Sequence, residues 1–295
     1  MNFTKTSLSY LFLLIFSLLA QNCFAYSTSK AYKKQYGYLK EYKAYPQDIV
    51  ETDYYLIILV DAKHLDYSNS QSFLTTFTKH PTTGNKSCNV GHVWLYLKSP
   101  NSVIEGGHTG EFGVDCPKYV DGIIDLVNKE DRNPVRYLWE TLNDGYFQEG
   151  SGGHYPTFAA KIDLSEEEYD AIKTFIDPRS YPYKSYSLTK RQCVSLVSQV
   201  LALVGVEIET DVTMKINQFA KIGGEKVKLW DNSSYSSITF SSPDIAEKSL
   251  ISLVDTGKAE YALAWYQKKT KRNNAPIVET IKRFPERYLR HKSTF

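Results

Sequence analysis

Apolar and polar positions fall along this chain in short, well-separated blocks. Tyr54 to Val60, closed by Asp61, is a continuous apolar run of the length expected for a buried strand. His92 to Leu97 and Ser102 to Glu105 read as two more strands, joined by the turn-forming Lys98-Ser-Pro-Asn101. Thr157 to Leu164 is a further strand. Ser165-Glu-Glu-Glu168 follows directly, and a serine three residues before a glutamate makes a capping box that opens a helix. That helix carries Tyr169, Ile172, Phe175 and Ile176 at helical spacing, and Asp177-Pro178 ends it. A second helix starts at Cys193. Its apolar stripe is Val194, Val197, Val200, Leu201 and Val204, and Gly205 is its stop.

Between these blocks the pattern weakens. His64 to Thr83 is Ser/Thr-rich and reads as a long loop. Gly106 to Gly113 is glycine-rich and needs backbone freedom, for a turn or for close approach to a ligand. Asp115 to Gly153 reads as loop with an apolar patch at 122–127. Tyr181 to Leu188 is a Tyr/Pro/Ser loop that leads to the cysteine helix. Beyond Asp211, helices are expected at Ile216–Ile222, Asp244–Val254 and Ala259–Lys269, and the end of the chain is basic and polar.

The first residues change the picture. Asn2 to Ser7 is polar with one cation, Leu8 to Ala20 is apolar, and Cys23 and Ala25 stand at the −3 and −1 positions of a cleavage site before Tyr26. This is the pattern of a secretory signal peptide over residues 1–25. The apolar run is short for a membrane span, and no later stretch is long enough, so the expectation is an exported protein, periplasmic or secreted, with no span after signal removal. Residues 26–53 form a Lys/Tyr-rich lead-in, 54–210 the main domain, and 211–295 an extension whose role the sequence does not reveal. A net charge of +2 gives no argument for a nucleic-acid partner.

An oxidising compartment makes the cysteines informative. With Cys23 lost, Cys88, Cys116 and Cys193 remain, and three cannot all pair within one chain. Cys88 and Cys116 flank the His92 strand and its partner and are candidates for a disulfide that leaves Cys193 free. The alternative is three reduced packing cysteines. Asn85 and Asn232 match glycosylation acceptors, a pattern that matters only in a glycosylating host.

Cys193 is the strongest candidate for chemistry. A thiolate is the nucleophile, and the first turn of a helix stabilises negative charge. Lys190 and Arg191 add positive field. His92, held between Gly91 and an apolar strand, is the candidate general base. Each has a plain packing role as its alternative. Glu105, at the end of the next strand, is the favoured third residue to orient His92, with His108 as its rival. Gln192 and Tyr186, with the Cys193 N–H, are candidate oxyanion donors, and Trp94 with Tyr96 is expected to line a substrate groove. His92, His108, His154, Cys88 and Cys116 lack the paired spacing of a zinc site, so neither a metal nor another cofactor is expected.

The order of a histidine strand, a second strand, a capped helix and a cysteine-opened helix resembles the circularly permuted papain-like families. These include permuted NlpC-type proteins and the lecithin–retinol acyltransferase group. Tyr186-Ser-Leu188, Cys193 and Gly205 are similar to their pattern, which covers residues 54–206. Gln192 departs from it, standing where many members carry Asn. The resemblance implies an α+β fold with a small antiparallel sheet packed on the cysteine helix. It also implies a thiol hydrolase acting on amide bonds, with cell-wall peptides as the leading substrates. Lipid acyl hydrolysis or transfer is the alternative chemistry, and a non-catalytic exported binding protein that retains the fold is the alternative class.

Overall fold

β-Structure dominates the middle of the chain, as the apolar runs require. The computed structural model describes residues 30–40, 44–78, 89–110, 132–141, 143, 145–222 and 225–270. In chain order the elements are α1 (Lys30–Gln35), β1 (Tyr55–Asp61), α2 (Ser70–Thr78), β2 (His92–Lys98), β3 (Val103–Thr109), β4 (Tyr146–Glu149), β5 (Phe158–Asp163), α3 (Glu166–Phe175), α4 (Cys193–Leu203), β6 (Asp211–Lys215), β7 (Phe219–Ile222), β8 (Glu225–Lys228), β9 (Ser237–Ser241), α5 (Pro243–Asp255), β10 (Glu260–Tyr261) and α6 (Leu263–Thr270).

The fold is α+β. Its centre is a six-stranded antiparallel sheet in the order β10-β5-β1-β2-β3-β4. β1 lies inside it and is buried along its whole length, which explains a run with no polar alternation. Its side chains alternate between two cores. Leu56, Ile58 and Val60 join Val93, Leu95 and Leu97 of β2 beneath α3, α4 and α5. Tyr55, Ile57 and Leu59 join Trp94 and Tyr96 on the other face, covered by Trp265 and Tyr266 of α6. A third core, with Leu65, Tyr67, Met214, Ile238 and Phe240, gathers around the paired strands β6 and β9.

The turn at Lys98-Ser-Pro-Asn101 closes as its composition suggests, with the Ser99 N–H donating to the Ser102 carbonyl at 2.9 Å. The capping box is present: the Ser165 hydroxyl accepts from Glu168 N–H, and the Glu168 carboxylate accepts from Ser165 N–H. Burying Tyr169 and Ile172 under the sheet anchors this helix.

Several expectations are corrected. The stretch expected as one loop, His64–Thr83, contains α2. Asn69 Oδ1 accepts the N–H groups of Gln71 and Ser72 there, and Phe73 and Leu74 pack onto the third core. Gly106 to Thr109 is strand, not loop, since β3 continues to pair with β4. Ile216–Ile222 is not helical, because β7 pairs with β8. The helices expected near 244–254 and 259–269 are α5 and α6, the latter starting at Leu263. Both cover the central sheet, so residues 211–270 contribute to the fold. Residues 1–29, Cys88 and Cys116 lie outside the described residues, as do the signal-peptide and disulfide expectations that fall on them. Among the described residues, no helix is long and apolar enough to cross a membrane.

Candidate active site

Cys193 is the first residue of α4, and Gln192 is its N-cap. Gln192 has extended backbone, and its Oε1 accepts the Val194 N–H at 2.7 Å, while Ser195 Oγ accepts the Gln192 N–H at 2.6 Å. An unsatisfied helix start is thus closed by a glutamine in the role usually filled by a shorter side chain. The same Oε1 accepts the Cys193 S–H at 3.2 Å, and Gln192 Nε2 donates to the Ser241 carbonyl. Gln192, a candidate oxyanion donor, is therefore occupied as a cap.

The Cys193 sulfur faces three backbone N–H groups, those of Val93, Val194 and Cys193 itself. Val93 leaves β2 on the face that α4 covers. Burial pushes the thiol up to about 11, outweighing the three N–H groups, which favour the thiolate. Cys193 is 6% exposed.

His92 opens β2, and its placement depends on Gly91. Gly91 has φ +87°, and a Cβ there would run into the Asp61 backbone carbonyl. A glycine is what lets the chain enter the strand this close to β1. His92 leaves the strand on the same side as Trp94, on which its ring stacks at 5.8 Å. Val93 leaves on the side of α4. Among the described contacts of Cys193, none is with His92. His92 Nε2 is buried without a hydrogen-bond partner, next to Gly107, where an added Cβ would stand 3.0 Å away. Burial, then the nearby His154 and His108, hold the imidazole well below its ordinary pKa.

The other expected residues take definite places. Glu105 Oε1 accepts from Trp94 Nε1 at 3.2 Å and from the Tyr266 hydroxyl at 2.6 Å, so this carboxylate ties β3 to α6. Trp94 is fully buried and Tyr96 nearly so, under Trp265. They are core residues and do not line an open groove, because α6 covers the face that the sequence left bare. His108 lies in an aromatic box, edge-on to Tyr181, Tyr183 and Tyr186 at 5.1–5.4 Å. Its Nε2 meets the Tyr183 carbonyl at 2.7 Å, and burial lowers it to about 4. Tyr186 thus serves as part of the box around His108.

Sequence reasoning missed the pair closest to His92. His154 stacks on the His92 ring at 4.7 Å and donates Nδ1–H to Asp61 Oδ2 at 2.8 Å. Lys63 Nζ holds the other oxygen of Asp61 at 2.7 Å. Burial opposes the Asp61 charge, but His154 and Lys63 outweigh it and keep the carboxyl below its usual range. Asp61 ends β1 directly opposite His92 in the register, and that pairing was the one available signal. Among the described residues, no cluster of three or more His, Cys, Asp or Glu side chains is arranged to hold a metal ion.

Comparison of the chain with family models, with curated proteins and with solved structures finds no match.

Proposed function

We propose that this chain is an exported thiol hydrolase with a permuted papain-like fold. In this reading, Cys193 is the nucleophile and His92 its general base. One observation carries it: the sulfur at the start of α4 faces the N–H of Val93, the residue next to a histidine whose Nε2 has no partner. The six-stranded antiparallel sheet with α4 on one face is compatible with the fold.

At rest the thiol is neutral on the α4 face of β2, and the imidazole is neutral on the Trp94 face. Burial favours both uncharged forms, so the site differs from one that stores a thiolate–imidazolium pair. In the proposed reaction, His92, the first residue of β2, swings round the end of that strand from the Trp94 face to the α4 face as substrate enters and takes the S–H proton. The sulfur then attacks the acyl carbon, and the amine departs with that proton. Water, deprotonated by His92, releases the acid and restores the thiol. Peptide amides, cell-wall peptides first, are the proposed substrates, with lipid acyl esters as the alternative acyl donors.

The burial of Cys193 supports a second reading, a non-catalytic binding protein that keeps the fold, with the thiol as a packed helix-start residue. Incubation of the chain with muropeptides and with lipid esters separates the readings. Release of a new amine or alcohol, absent with Cys193→Ala, supports hydrolysis and identifies the substrate class. Equal product from the chain and from Cys193→Ala removes Cys193 as nucleophile.

A further inference from the structure

His154 sits 62 positions after His92 in the sequence, in a Gly-Gly-His-Tyr-Pro segment, yet the two rings lie face to face with an interplanar angle of 27°. Neither position is casual. Gly152 and Gly153 have φ values of +60° and +84°, which turn the chain back under the sheet end. The His154 N–H then donates to the Ser151 carbonyl at 3.0 Å, and its side chain reaches Asp61 across the end of β1. Both histidines are nearly excluded from solvent, at 5% and 8% exposed. A buried imidazole without a hydrogen-bond partner has nothing polar to fix its ring, and the stacked neighbour supplies that constraint.

From this geometry we infer that His154, anchored by Asp61, is the positioning residue for His92: its stacked ring fixes the plane in which the His92 imidazole accepts a proton. This rests on His92 being the base of the proposed thiol site. Asp61 and Lys63 complete the assembly. Lys63 shares the carboxylate, so Asp61 stays ionised and holds the His154 ring through Nδ1. Burial first, and then the His154 ring at 4.7 Å, work against a proton on His92. The other titratable group acting on His92 is His108 from β3. Glu105 lies on the same face of the sheet but is engaged by Trp94 and Tyr266.

The experiment is a histidine-selective NMR titration of the purified chain, with the His92 signal assigned by its loss in His92→Gln. It is repeated in His154→Phe, which keeps a stacked ring but carries no charge, and in Asp61→Asn. Native-state acylation of Cys193 by an activated ester is followed against pH in the same proteins. The expected result is an upward shift of the His92 midpoint in His154→Phe and a smaller upward shift in Asp61→Asn. The acid limb of Cys193 acylation should move with it. A His92 midpoint unchanged in His154→Phe overturns the inference. If His154→Phe does not fold, His154→Gln provides the same readout. The proposed function fails separately: a shifted His92 midpoint with no acylation of Cys193 in any folded protein keeps the histidine coupling and removes the thiol hydrolase.

Discussion

The Val93 N–H, near the start of β2, lies close enough to the Cys193 sulfur at the start of α4 to favour its thiolate. Val93 and Cys193 come together because both lie on the side of the sheet that α4 covers. The neutrality of the thiol follows from how deeply α4 is set against the sheet.

That neutrality has a consequence for stability. The thiol moves from 9.0 to about 11 on folding because burial disfavours the thiolate. The folded state therefore holds its proton more tightly than the unfolded chain. The associated stability is complete below 9.0 and is lost as pH rises toward about 11. A rise of that size corresponds to about 3 kcal/mol. Denaturant melts across this range should show a steeper alkaline loss in the chain than in Cys193→Ala. The comparison isolates Cys193 from the buried tyrosines that also titrate there.

His64 gives the opposite test near neutrality. Burial works against its charge, but its hydrogen bond to Glu247 at 2.7 Å and the neighbouring carboxylates raise its pKa above 6.5. The stability this contributes is complete below the unfolded value and is lost as pH rises through the folded one. His64→Asn is the appropriate variant, since φ is +51° and asparagine tolerates that backbone. The chain should exceed His64→Asn in stability by more at mildly acidic than at mildly alkaline pH. Equal differences at both would mean that the ion pair does not form.

Asp244 is expected to be the most sensitive polar position. Its carboxylate accepts the N–H groups of Lys63, His64 and Leu65 and the hydroxyls of Tyr36 and Tyr67. It joins the lead-in, the segment after β1 and α5. Asp244→Asn converts acceptor capacity into a donor facing other donors and should cost about 3 kcal/mol, measured by thermal or denaturant unfolding.

Gly91 and Gly107 separate folding from chemistry. Gly91→Ala forces a side chain into the Asp61 carbonyl at positive φ and should destabilise the chain by about 3 kcal/mol. At Gly107 an added Cβ would lie 3.0 Å from His92 Nε2, Trp94 Cβ and the Val93 carbonyl. Gly107→Ala should slow Cys193 acylation by displacing His92, with a smaller loss of stability than Gly91→Ala. Acylation kinetics and unfolding curves on both variants check the ranking.

The sequence made the central strands legible because β1 is buried on both faces, and no turn residue interrupts its apolar run. The capping box at Ser165 and the apolar stripe after Cys193 were local patterns, and local patterns survive into the fold. α2 was hidden because serine and threonine fill its exposed turns, while only Phe73, Leu74 and Phe77 carry its contacts with the third core. Gly106 and Gly107 looked like a loop, but they are strand residues made small by the Phe147 and His92 rings that lie over them. Glu105 was a plausible partner for His92 until α6 supplied Tyr266 from 161 positions away. His154 and Asp61 are 93 positions apart, and no local spacing announces such a pair.

The most direct measurement is peptide mapping of the folded chain after reaction with an activated peptidyl ester, beside His92→Gln. The account predicts one acyl group, on Cys193, forming about a hundredfold or more slowly without His92. No acyl group on Cys193 of the folded chain, with ready acylation once the chain is unfolded, would contradict it and leave Cys193 a packing residue.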